Sequence, residues 1–283
     1  MLWLYQIPLW ALGALVLSVA WGYAAFGVML ARPWVRSWRR SENEAVGYML
    51  SIAGVAYAVL LAMIAVGAWN GASTVDVAIQ QEANALAGVY RGVSAFRPEV
   101  RDHFQQLVRD YVDFVVRDEW PALSRNARSP RTELASQTLA AELVAFNPVT
   151  PAEQQLKPIV IDHVNTFEDA RRLRILTGER GLGSITWFVV IIGGVMTLAF
   201  LFFFRVESLL VHLLLTMLTS GMIAVVVFLI LAMDHPLWGE VSVKPDALQE
   251  VLQTVTQQQQ LVTADTAVTP PLQPAAKKHT ISR

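Results

Sequence analysis

Long apolar runs and polar stretches alternate along this chain, and the runs fall into two tight pairs: residues 7–31 with 45–68, and 182–204 with 209–233. Each run holds 23 to 25 residues and no Asp, Glu, Lys or Arg. At a helical rise of about 1.5 Å per residue, each is long enough to cross a hydrocarbon core of about 30 Å. The pattern predicts an all-α integral membrane protein with four transmembrane helices. A helical polar domain sits between spans two and three.

That domain, residues 69–181, carries 28 of the 45 Asp, Glu, Lys and Arg residues. From Pro98, apolar residues at Val100, Phe104, Leu107, Val108, Tyr111, Phe114 and Val115 keep the spacing of one helix face, and Trp120-Pro121 is expected to end that run. A shorter helix is expected over 132–146. From Pro151 a third stripe runs through Leu156, Ile159, Val160, Val164, Phe167, Ala170 and Leu173. Residues 73–93 carry Val75, Val77 and Ile79, then Ala83, Leu86, Ala87 and Tyr90, which fits a continuation of span two as one long helix. No strand alternation and no internal repeat is visible.

The division that follows is a first transmembrane hairpin (1–68), the polar domain (69–181), a second hairpin (182–233), a membrane-proximal segment (234–256) and a tail (257–283). Pro33 is expected to end the first helix, and 245–255 reads as a short amphipathic helix. The Gln-, Thr- and Pro-rich tail has too little apolar surface to offset its ordering entropy and is expected to be disordered.

Composition narrows the class. Only 16% of residues are charged and mean hydropathy is +0.42, as in integral membrane proteins. A net charge of −1 offers no basic surface for nucleic acid. With no cysteine, thiolate metal sites and thiol nucleophiles are excluded. Ser18-Val19-Ala20 looks like a cleavage site, but residues 1–10 carry no positive charge and the apolar run continues past it, so an uncleaved first span is expected. Seven of the nine Trp residues lie near span ends, where indole prefers the headgroup level.

The first connection holds Arg32, Arg36, Arg39 and Arg40, and the second is only Arg205-Val206-Glu207-Ser208. Both must lie on one side of the membrane. Arginine-rich short loops stay cytoplasmic, which places the polar domain outside; Arg171, Arg172, Arg174 and Arg180 near span three oppose that reading.

Sites of reaction are scarce. The segment 178–184 has the glycine spacing of a phosphate loop, but Ser184 stands where lysine belongs and no strand precedes it, so it reads as a helix break. The five histidines show no metal-ligand spacing, and His212, one turn inside its span, reads as structural. No catalytic, cofactor-binding or metal residue is assigned, and an enzyme is not expected. Small residues recur at Gly54, Ala58 and Ala62 in span two, at Ala14, Ser18 and Gly22 in span one, and at Thr216, Ser220 and Ala224 in span four, which marks them as helix-packing candidates. Glu82 and Glu119, set against Arg171 and Arg174, are candidates for structural ion pairs that tie the polar domain to its membrane base.

Several motifs in order resemble the bestrophin-like domain family of membrane proteins. They are Gln81-Glu82-Ala83-Asn84-Ala85-Leu86, Tyr90-Arg91, Tyr111, Glu119-Trp120-Pro121, Ala170-Arg171-Arg172-Leu173-Arg174, and Asp234-His235-Pro236 with Gly239. The resemblance covers about residues 47–252. It departs from the family at 181–187, which lacks the usual proline, and at Arg205, where glycine is typical. The resemblance implies kinship to bestrophins, pentameric anion channels whose second span lines an apolar neck and whose polar regions are cytoplasmic. The expected function is an oligomeric anion channel of the bacterial inner membrane, multi-pass, with the lipid bilayer, copies of itself and small anions as partners. The alternative is a non-conducting sensor or scaffold whose polar domain binds a partner.

Overall fold

The structure is a computed structural model and describes residues 7–37, 40–125, 127–238, 242–251 and 253–254, with only the backbone described at 40 and 41. The expected tail, together with Trp3, Trp38 and Gly239, lies outside the described residues. Helix α1 spans Leu9–Val35 and α2 Arg40–Gly92. The polar domain adds α3 (Pro98–Phe114), a π-helical turn (Val115–Glu119), α4 (Trp120–Leu123), α5 (Pro130–Ala145) and α6 (Pro151–Glu179). Helices α7 (Ser184–Phe202) and α8 (Leu209–Asp234) complete the membrane part. No strand occurs among the described residues.

Helix α2 dominates the architecture. Its 53 residues form one rod about 80 Å long, at about 1.5 Å per residue. The first half is a membrane span and the second half is the spine of the polar domain. Helix α6 runs beside that second half, and close contact there depends on glycine. A Cβ on Gly92 would stand 2.5 Å from Val160 Cγ2, and one on Gly88 would stand 2.8 Å from the His163 ring.

Within the membrane, α1 packs on α8. Trp21 Nε1 donates to the Met217 carbonyl at 3.0 Å, and Tyr57 on α2 reaches Val190 of α7 at 2.9 Å. In an apolar medium such bonds to carbonyls are also what lets these polar ring atoms be buried. Asp234 closes the second hairpin: it accepts from Leu182 N and, at 3.1 Å, from Trp187 Nε1.

Two prolines do not end their helices. Pro33 lies inside α1, where it removes one donor only a turn from the end while Arg36 N still bonds to Arg32 O at 3.1 Å. Pro121 sits in the first turn of α4, after the π turn has already interrupted the ordinary hydrogen-bond ladder. Side chains cap two of the helices: Ser129 Oγ accepts from Thr132 N, and Thr150 forms a capping box with Glu153.

Residues 246–251 are helical, and Leu248 is fully buried with Leu237 in the polar domain's core. The segment after α8 thus packs back onto that domain, with Trp120 Nε1 donating to the Val243 carbonyl at 3.1 Å.

Candidate functional site

Three apolar seams converge where α2 leaves the membrane. On α2 the buried positions are Val75, Ile79, Glu82, Leu86, Val89 and, just past its end, Val93; the carboxylate occupies a place in the seam itself. On α6 they are Val160, Val164, Phe167, Arg171 and Arg174. The expected stripe on this helix is not followed throughout: Ile159 is 52% exposed, and near the membrane end Leu173 is 42% exposed while the two arginines take the inward positions. On α3 the seam runs through Phe104, Val108 and Tyr111 to Val115, and the π turn delivers Glu119 into the same interior.

These polar groups close a ring. Arg174 Nε donates to Glu82 Oε2 at 2.7 Å, and its Nη2 donates to Glu82 Oε1 at 3.2 Å and Glu119 Oε1 at 2.7 Å. Glu119 Oε2 accepts from Arg171 Nη2 at 2.8 Å. Arg171 Nε donates to the Tyr111 hydroxyl at 3.1 Å, which in turn donates to Glu82 Oε1 at 2.6 Å. Arg171 Nη1 leaves the ring to reach Glu133 on α5 at 2.9 Å, and Trp120 lies 5.0 Å from the Arg174 guanidinium. All four residues singled out for ion pairing are brought together, all buried.

Two carboxylates balance two guanidiniums, so the ring is neutral inside a low-dielectric core. Burial alone would lower the Arg174 pKa, but Glu82, Glu119 and Tyr111 outweigh it and the value is raised. Burial, followed by the charge of Glu82, pushes the Tyr111 phenol well above its usual range. Arg174 therefore stays charged and Tyr111 stays protonated near neutral pH. The ring is a tie between α2, α3, the π turn and α6, built to hold position.

A second tie was not singled out from sequence. Glu153, fully enclosed, accepts from Val149 N (2.8 Å), Thr150 N (3.1 Å), Arg97 N (3.1 Å) and Arg97 Nε (2.9 Å). Burial opposes its ionisation, yet these bonds win and hold its carboxyl at about 2. Thr150 three residues ahead of it was the available sequence signal.

The small-residue stripes divide into two kinds. Thr216, Ser220 and Ala224 on α8 are buried within the protomer. Ala14, Ser18, Gly22, Ala58 and Ala62 are exposed, Gly54 is half-buried, and nothing lies within 4 Å of a Cβ built on Gly54 or Gly22. The membrane half of α2 is correspondingly bare. Of its most apolar 18-residue stretch 11% is buried, against 22% to 28% in the other three spans. Tyr48, Ile52, Val55, Val59, Met63 and Val66 all project outward. His212 is structural, with Nε2 donating to the Leu201 carbonyl at 2.9 Å. Among the described residues, no group of three or more His, Asp or Glu is placed to hold a metal ion.

A bestrophin-like domain matches residues 16–248. The chain belongs to the bestrophin-like family. The match takes in most of α1, ahead of the motifs from which the resemblance is read. Crystal structures of a bacterial bestrophin homologue from Klebsiella pneumoniae, in two point-substituted forms, superpose with TM-scores of 0.66 and 0.65 at 8% and 9% identity. The superpositions cover 87% and 86% of this chain and 98% and 99% of theirs. A further crystal structure, of a membrane protein with one substitution, gives a TM-score of 0.64 at 8% identity, covering 87% and 97%. At such identities the likeness is one of fold. No curated protein sequence matches the chain.

Proposed function

We propose that this bestrophin-like protein is a homo-oligomeric anion channel of the bacterial inner membrane, assembled around α2. The bare membrane half of α2 carries this reading. A charge-free, apolar helix face with only 11% of its core stretch buried is left uncovered by its own protomer, while the same helix is rigidly anchored below. Lipid is one cover for such a face. A ring of identical helices is the other, and the small residues Gly54, Ala58 and Ala62 permit the close approach that a ring requires. Symmetric closure of that kind is the usual outcome for identical subunits.

The family resemblance supplies the ion class. An apolar path without fixed charge also suits passive conduction better than a coupled transporter, which needs charged or broken helices at mid-membrane. The buried ring of Glu82, Glu119, Arg171 and Arg174 then fixes the angle at which α2 leaves the membrane, and so the shape of the conduit. Nothing in this arrangement calls for catalysis.

Liposomes loaded with a halide-quenched dye test the proposal. Reconstituted protein is expected to admit chloride rapidly and a bulky organic anion slowly. Impermeability to chloride in liposomes containing folded oligomer would overturn it and favour the non-conducting scaffold.

A further inference from the structure

The two short connections meet on one face of the molecule, where α1 and α7 end and α8 begins. Asn43 clamps the second connection: its Oδ1 accepts from Arg205 N at 2.8 Å and its Nδ2 donates to the Arg205 carbonyl at 2.9 Å. Arg32 Nη2 donates to the Glu207 carbonyl at 3.2 Å. Together with His212 bonded to the Leu201 carbonyl, these contacts shape a cavity of about 220 Å³. Arg32, Arg36, Arg205 and His212 line it with Val35 and Phe204, and Glu207 is the one acidic residue on its wall.

Three arginines against one glutamate leave an excess of two positive charges around a concave space. Arg32 also has unused donor capacity. Its Nη1 is enclosed and has no hydrogen-bond partner, a state that an incoming acceptor would relieve. The cavity lies at the ends of three apolar runs, with Trp34 71% exposed beside it and Leu210 68% exposed below. That is headgroup level, where the abundant anion is phosphate.

We propose that this cavity binds a phosphate group, presented by an anionic phospholipid of the surrounding leaflet or as free inorganic phosphate. Guanidinium forks match the oxygens of a phosphate with paired, charge-assisted hydrogen bonds. The carbonyl ends of α1 and α7 and the N–H ends of α2 and α8 meet in this region and largely offset one another, so the net attraction comes from the arginines. Occupancy would lock the first connection to the α7–α8 turn. The proposal stands apart from conduction and is tested without it.

Native mass spectrometry of the full-length protein, given phosphatidylglycerol or phosphatidylcholine in detergent, reads the lipid source. A thermal shift with inorganic phosphate reads the free one. Wild type is expected to retain phosphatidylglycerol over phosphatidylcholine, with retention falling about fivefold for each of Arg32→Gln and Arg36→Gln. Arg91→Gln, in the polar domain, should leave retention unchanged. Arg36 is exposed, so its variant reports even if Arg32→Gln weakens the fold. Stabilisation by phosphate that is lost in Arg36→Gln, without a lipid preference, would support the site and assign it to the free anion. Equal retention of both lipids with no phosphate response, or an Arg36→Gln variant that binds as wild type does, would overturn the proposal.

Discussion

Arg174 and Glu82, 92 residues apart in sequence, meet at 2.7 Å with both side chains completely enclosed. The contact joins the last turns of α6 to the polar half of α2, 14 residues past the end of the second apolar run. Its partners Glu119 and Arg171 complete a neutral set, so burying four charges leaves none uncompensated.

Removing one member should therefore be costly. Glu82→Gln or Arg174→Met leaves a buried charge short of a partner and is expected to cost about 3–5 kcal/mol. The double variant should recover much of that loss, giving a coupling of about 2 kcal/mol or more between the positions. Chemical denaturation in detergent measures the cycle. Additive losses would mean that the pair does not act as a unit. Tyr111→Phe, which removes one hydroxyl from the same ring, should cost about 1–3 kcal/mol.

Glu153 gives a pH-dependent prediction. Its carboxyl is held at about 2 in the folded protein, below the ordinary 4.5. A group with a depressed folded value binds fewer protons folded than unfolded, so its contribution is present above about 4.5 and fades as pH falls through about 2. The wild-type melting temperature should drop across that window, and Glu153→Gln should flatten this part of the profile. Parallel profiles for the two proteins would contradict the assignment.

The exposed stripe on α2 separates protomer stability from assembly. Space around Gly54 is open, and Ala58 is exposed, so Gly54→Leu or Ala58→Leu should leave the protomer's thermal stability nearly unchanged while moving native mass toward monomer. Gly27→Leu is the contrast. A Cβ there collides with the Phe202 ring inside the protomer, so this variant should lower thermal stability directly. Wild-type oligomer mass in both α2 variants would remove the stripe from the interface.

Much of this arrangement is legible in the sequence because hydropathy reports burial in lipid and in a helical core alike. The four spans and the long α2 follow from such patterns, whereas the cap at Thr150 was available only as a Thr-x-x-Glu spacing that hydropathy does not report. The ion pairing of Glu82 and Glu119 with Arg171 and Arg174 is legible only as a set of possible partners. Hydropathy continues the α6 stripe through Ala170 to Leu173, but Phe167, Arg171 and Arg174 keep an i, i+4, i+7 spacing, and the packing against α2 turns the two arginines inward and Leu173 out. The π turn that carries Glu119 inward has no sequence signature of its own, since a one-residue widening of a helix is a response to packing. Tyr111 reads as one more apolar stripe position, and its hydroxyl's place between Glu82 and Arg171 depends on three helices at once. The expectation that Pro33 and Pro121 end helices fails: Pro33 gives up a single hydrogen bond in the last turn of α1, and Pro121 falls in the first turn of α4, where a backbone donor is dispensable.

On the proposed function, copies of this chain enclose an anion-conducting path along α2. The reversal potential of purified oligomer in a planar bilayer, under an asymmetric potassium chloride gradient, tests it most directly. Discrete unitary currents that reverse close to the chloride equilibrium potential are expected. Currents reversing at the potassium potential, or no current from oligomer shown to be folded, would contradict it.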